Sequence, residues 1–226
     1  MSTPSIQTRA ALTWKTLPRN LLLPQAAERF RYRMVEKIKG DREGAESLAQ
    51  EVLEIAAPLF HPVSALVDLK VDAITPESVV LGGRELPGGR WTKRLGRGDA
   101  VRLYCLSAGG RQSELSGACG GDSILESALH LFGCEVVFSI NKHFSHEIHT
   151  DGWQTVGLYA NYSGNATRSF DPALVRSMYL AFSGPDSPVR VTDGGSFDPV
   201  HTVLGLLGRR GAGRGGDSRE ENDDGT

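Results

Sequence analysis

The sequence predicts one α/β domain between loose ends, on three observations. Apolar residues recur at helical spacing over 25–39 and 43–57 and alternate with polar ones over 63–71 and 100–107, the periods of a helix face and of a half-buried strand. A length of 226 residues, 39% of them hydrophobic, suits a single domain with a modest core. Past Gly208 the chain is almost entirely Gly, Arg, Asp and Glu, and ordering such a segment costs backbone entropy with no burial in return. The expected organisation is a partly disordered N-terminal arm over 1–24, one domain over 25–208, and a disordered tail over 209–226.

Taken in order, Pro4, Pro18 and Pro24 punctuate the arm, and Leu21–Leu23 is a short apolar run able to dock on the domain. The first helix, 25–39, places Ala27, Phe30, Met34 and Ile38 on one face and five basic residues over the rest, which reads as a solvated face or an acidic partner's surface. Asp41 caps a second helix whose apolar side carries Ala45, Leu48 and Val52, with Pro58 as its stop. In the strand at 63–71, Val63, Ala65, Val67, Leu69 and Val71 share a face. A second strand starts at Val79–Leu81 beside the Gly82-Gly83 turn, and a strong one follows at 100–107. After a glycine-rich stretch, Asp122 caps a helix over 123–132, with Gly133 as its C′ residue. Residues 134–149 fit strand or helix. Asp171-Pro172 opens a helix that Gly184 ends. Val189–Thr192 is a short strand, and 199–207 is apolar enough for helix or strand.

Composition narrows the function classes. Lys plus Arg is 25 against 27 for Asp plus Glu, and no basic stripe interleaves with aromatics, so a nucleic-acid surface is not expected. No apolar run reaches the roughly 18 residues needed to cross a bilayer, and the N-terminus lacks the hydrophobic stretch of a secretory signal. A cytoplasmic location is the resulting expectation. Three widely spaced cysteines, Cys105, Cys119 and Cys134, form no disulfide framework.

Candidate chemistry is thin. On a helix His143, His146 and His149 fall at i, i+3 and i+6, where two of them would hold a divalent metal completed by Glu147 or Asp151. The alternatives for the same residues are an exposed polar segment or proton handling near neutral pH. The glycines after strand 100–107 match neither GxGxxG nor GxxxxGKS, and read as a turn packed on the sheet or the wall of a neutral groove. Between Trp153 and Phe170 lie Tyr159, Asn161, Tyr162, Asn165 and Arg168 with several glycines, a long connection that would pack or line a pocket.

Three stretches, EVLEIAAPLFHPVSALVDLKVD with SVVLGG, LGRGDAVRLYCLSAGG with DSILESALHLFG, and GLYANYSGNATRSFDPALVRSMYLAFSG with VRVTDGGSFDPVHTVLGLLG, together resemble the activation domain of cobalamin-dependent methionine synthase and its stand-alone relatives. The resemblance covers roughly 45–208 and rests on order, length and pattern. It implies an α+β fold with a curved, mainly antiparallel sheet and packed helices. It also implies S-adenosylmethionine as ligand, and a corrinoid protein as partner, cobalamin being reached only through that partner. By position the binding residues would be Tyr159, Asn161, Tyr162, Gly164 and Arg168, with His201 after Pro199 and an acid at Asp68 or Asp72. The family's binding-loop arginine falls near Tyr159 and is not matched; Arg168 would supply the charge from downstream. The expected role is thus an accessory protein of corrinoid and methionine metabolism. A metal-dependent enzyme built on the three histidines, or a non-catalytic binding or scaffolding domain, stays open beside it.

Overall fold

A computed structural model of the chain describes residues 10–148, 152–160 and 171–209. Its centre is an antiparallel sheet with strand order β4-β3-β2-β5-β9-β6. The strands are β2 (Val63–Ile74), β3 (Ser78–Leu81), β4 (Arg84–Pro87), β5 (Ala100–Ser107), β6 (Gln154–Ala160) and β9 (Thr202–Arg209), with β1 (Thr13–Thr16) on β2 and a separate β7 (Arg190–Val191) and β8 (Phe197–Asp198) pair. Helices α1 (Arg19–Lys37), α2 (Arg42–Leu59), α3 (Gln112–Ala118) and α4 (Ser123–Ile148) carry one core, and α5 (Pro172–Phe182) packs in the other. The chain therefore has the α+β architecture expected of it.

Alternation along the strands feeds both cores. Ala65, Val67, Leu69 and Val71 of β2 and Val101, Leu103 and Cys105 of β5 face α5, while Tyr104, Leu106 and Val203 face the α1–α4 layer. Leu66, the apolar residue that breaks the pattern of β2, packs on the helical side. Leu81 pairs with Arg84 across Gly82 and Gly83, both at positive φ, the two-residue turn whose twist suits a hairpin and which glycine adopts without strain.

Several expectations are corrected. Residues 10–24 belong to the fold: β1 pairs with β2, Leu12 N–H donates to the Phe182 carbonyl at 2.8 Å, and Leu22 is fully buried. α1 begins at Arg19, not at 25, and Pro24 lies inside it. Pro58 sits in the last turn of α2 without stopping it. α4 runs through Gly133 to Ile148, so the helix does not end at 132, and 134–148 is helix. β6 occupies part of what read as a long connection, and 199–207 resolves into β9 preceded by a turn. Residues 1–9 and 210–226 lie outside the described residues.

The basic face of α1 has a structural use. Glu135 of α4 is buried, and Arg29 Nε and Arg33 Nε each stand 3.0 Å from one of its carboxylate oxygens. Arg29 also donates to the Glu135 carbonyl at 2.9 Å and to the Ser139 hydroxyl. A buried carboxylate needs such partners to offset its lost hydration. Over Ser123–Ser145, α4 is long and apolar enough to cross a membrane by length and composition, a property masked in the sequence by Glu126, Glu135 and Lys142. Its Leu125, Leu129, Phe132, Val136, Val137 and Ile140 are instead buried within the domain, and that burial accounts for its hydropathy.

Candidate functional site

One end of the sheet gathers the segments singled out in the sequence. β5 leaves there through Ser107–Gly110, His201 precedes β9, and β6 ends at Ala160, which pairs with Val203. The glycine turn is packed against the chain, as one of its two readings had it. A Cβ on Gly109 would lie 2.5 Å from the His61 carbonyl oxygen, and φ there is +71°. Ala108 N–H donates to the His201 carbonyl at 3.0 Å, and the hydroxyls of Thr202 and Ser107 are 2.8 Å apart.

The side chains at this end part company. Tyr159 is 1% exposed and packs toward α5, its ring 6.0 Å from that of Phe197. His201 is fully buried on the opposite side, between Phe60, which follows α2, and His130 of α4. These two expected ligand-groove residues therefore do not meet: β6 and β9 pair with Tyr159 and His201 pointing to different cores. Asn161, Tyr162, Gly164 and Arg168 lie outside the described residues. Of the two candidate acids, Asp68 is held by Arg102 at 2.6 and 2.7 Å, and Asp72 accepts from the Gly83 N–H at 2.7 Å. His143 is exposed on α4, the backbone at His146 continues that helix one turn on, and His149 lies outside the described residues.

A different set of metal-type donors comes together instead. His130 and Cys134 stand one turn apart on α4, and His201 reaches them from the β9 side. One nitrogen of each imidazole and the Cys134 sulfur lie within 4.8 Å of one another. His201 Nε2 is 3.0 Å from His130 Nδ1 and 3.0 Å from the His130 carbonyl oxygen, and Cys134 Sγ is 4.0 Å from His130 Nε2. A carbonyl only accepts, so His201 Nε2 carries the hydrogen, and His130 Nδ1 accepts beside it. His130 then bears its own hydrogen on Nε2, facing the sulfur.

Gly133 makes this approach possible. A Cβ there would lie 2.5 Å from the His201 ring atoms Cε1 and Nδ1. Glycine is mid-helix here for tertiary reasons, and its reading as a helix stop was wrong on that account. Burial first, then the neighbouring His130, pull His201 down to about 3, so its imidazole is neutral near pH 7. Burial, with Glu135 adding to it, pushes the Cys134 thiol up to about 12. Burial also raises Cys105 and Cys119. No cysteine among these three is poised as a nucleophilic thiolate.

At the far end of β9 a cleft of about 590 Å³ is lined by Lys93, Arg94, Asp99, Gln154, Thr155 and Arg209. Trp153 nearby is flanked by the Arg102 and Arg209 guanidinium groups at 4.8 and 5.0 Å from its ring centre. Its β9 residues, Gly208 and Arg209, lie at the opposite end of the strand from His201, about 23 Å away at the usual rise, so it forms no part of the His130–Cys134–His201 cluster.

No protein-family model matches the chain, and no curated protein matches it in sequence. Among solved structures it is similar to the MetH reactivation domain bound to AdoHcy, with a TM-score of 0.60 at 8% identity, over 95% of this chain and 83% of that one. At that identity the likeness is one of fold, and it is to the fold of a reactivation domain that this chain conforms over nearly its whole length.

Proposed function

We propose that this protein is a small-molecule-binding accessory protein that takes S-adenosylmethionine or its demethylated product and docks a corrinoid protein. The observation that carries the reading is the full-length fold similarity to a reactivation domain solved with AdoHcy. In support of it, β6 ends at Ala160, paired with Val203, immediately before the 161–168 residues that the resemblance assigns to the ligand. In this reading Asn161, Tyr162, Gly164 and Arg168 contact the ligand, and Arg168 meets its carboxylate. The burial of Tyr159 and His201 gives them a supporting role rather than a direct contact. S-adenosylmethionine, when bound, would supply a methyl group and the corrinoid partner its acceptor; the protein's share is binding and orientation.

Calorimetric titration with S-adenosylmethionine and with S-adenosylhomocysteine tests this. Saturable binding to one site is expected, with a thermal shift that grows with ligand concentration. Arg168→Ala should weaken binding by roughly 10-fold or more, the usual loss of a charge-assisted hydrogen bond. Absence of both heat and thermal shift at about 100 times a micromolar Kd, where linkage adds about 2.7 kcal/mol, would remove this ligand class.

A further inference from the structure

We infer that His130, Cys134 and His201 form a binding site for a thiophilic divalent ion of the zinc type. The site is separate from the small-molecule reading and from the His143, His146 and His149 set. Its case is geometric. Two imidazoles and one thiol are the donor set that selects zinc-like ions over magnesium or calcium, which prefer oxygen. Their donor atoms already lie within 4.8 Å of one another. Tetrahedral zinc with ordinary bond lengths requires ligand atoms roughly 3.3–3.6 Å apart. The 3.0 Å His201 contact is to His130 Nδ1 and the 4.0 Å Cys134 contact is to His130 Nε2; one of these nitrogens would serve the ion, and donor atoms within 4.8 Å of one another close to that range by side-chain movements of about 1 Å.

The framework holds these donors from three directions. The i, i+4 spacing puts His130 and Cys134 on one stripe of α4. The His201 backbone is tied to β5 through Ala108, and Gly133 admits the His201 ring against the helix. His201 is buried, whereas His130 and Cys134 are partly exposed, so a fourth ligand, water, enters from their side. On binding, the Cys134 S–H bond gives its proton to solvent and the sulfur bonds the metal; a ring nitrogen that takes the ion first passes its hydrogen to the other nitrogen of the same ring, which for His201 Nε2 also releases the His130 carbonyl, and nothing is oxidised or reduced. Cys105 lies in the core on the other side of the sheet and Cys119 at the end of α3, so a thiolate–metal bond reports Cys134.

Cobalt(II), added to the full chain after chelator treatment and removal of the chelator, is the spectroscopic probe, with zinc(II) as competitor. The expected result is one ion per chain, a near-ultraviolet thiolate-to-cobalt band, visible bands of tetrahedral intensity, and displacement by zinc. Cys134→Ser should abolish the thiolate band. His130→Asn should weaken uptake at least about 10-fold, the loss that even an outer-shell partner causes. His143→Ala should change nothing. Because His201 is buried and its replacement threatens folding, Cys134→Ser and His130→Asn carry the test, each checked for unchanged far-ultraviolet circular dichroism. Uptake without a thiolate band, uptake unaffected by both variants, or no uptake at micromolar metal would each overturn the assignment.

Discussion

Replacing Gly133 by alanine separates helix propensity from tertiary fit. On an open helix face the change stabilises, because alanine surrenders less backbone freedom than glycine, by about 0.5–1 kcal/mol. At Gly133 the new methyl would sit 2.5 Å from two His201 ring atoms and 2.6 Å from a third. That ring cannot simply swing aside, since it is fully buried and its Nε2 is bonded to His130. Overpacking a close-packed core costs about 1–3 kcal/mol. The collision outweighs the propensity gain, and Gly133→Ala should destabilise by roughly 1–2 kcal/mol, or about 2–8 °C in Tm for a domain of this size. Urea unfolding should show a lower midpoint with an unchanged slope. Gly117→Ala is the internal control: Gly117 lies in α3, and a methyl added there would meet nothing within 4 Å, so the same substitution should be neutral or stabilising. Combining Gly133→Ala with His201→Ala should cost less than the two single changes added, because the ring that collides has gone. If Gly133→Ala is as stable as wild type while Gly117→Ala gains, the His201–α4 packing described above is wrong.

Glu135→Gln should destabilise by roughly 1–3 kcal/mol, since it leaves Arg29 and Arg33 facing a neutral group at a buried position; urea unfolding should find this loss well above that of Glu46→Gln, whose exposed pair with Arg42 is worth under about 0.5 kcal/mol. Asp171→Ala should cost about 1 kcal/mol, because the Asp171 carboxylate accepts the Leu174 N–H at 2.9 Å as the cap of α5. Asp171→Asn, which keeps the acceptor, should recover most of it in the same unfolding assay.

Legibility followed the range of the interactions. The strands at 63–71 and 100–107 and the Asp171-Pro172 helix start could be read because periodicity and capping are written in neighbouring residues. β6 was missed because Val156, Tyr159 and Ala160 are buried on both of its sides and the register shifts between Thr155 and Gly157, which erases alternation. Gly133 shows the limit of punctuation rules: the glycine that reads locally as a helix end is there for a histidine that arrives much later in the chain. That one error also hid the metal-type cluster. With the helix stopped at 132, His130 and Cys134 fell in different elements, although their i, i+4 spacing was visible. Nothing local could have brought His201 to them. The histidines at 143, 146 and 149 drew attention because they are close in sequence, whereas the cluster that forms is close in space.

The two functional readings rest on different residues. An antiparallel sheet returns its connections alternately to its two ends, so β5, β6 and β9 place the 108–110 turn, Ala160 and His201 at one end of the sheet. Such a rigid rim is where loops can be positioned for binding. The facing of the strands then divides the labour: His201 turns toward α4, where imidazole and thiol donors wait, and Tyr159 toward α5, where it fills the second core. A metal at His130, Cys134 and His201 would brace α4 against the start of β9, whereas the proposed small ligand would depend on other residues, Arg168 among them. Since removing the Cys134 thiol touches only the first and removing the Arg168 charge only the second, failure of either reading leaves the other standing.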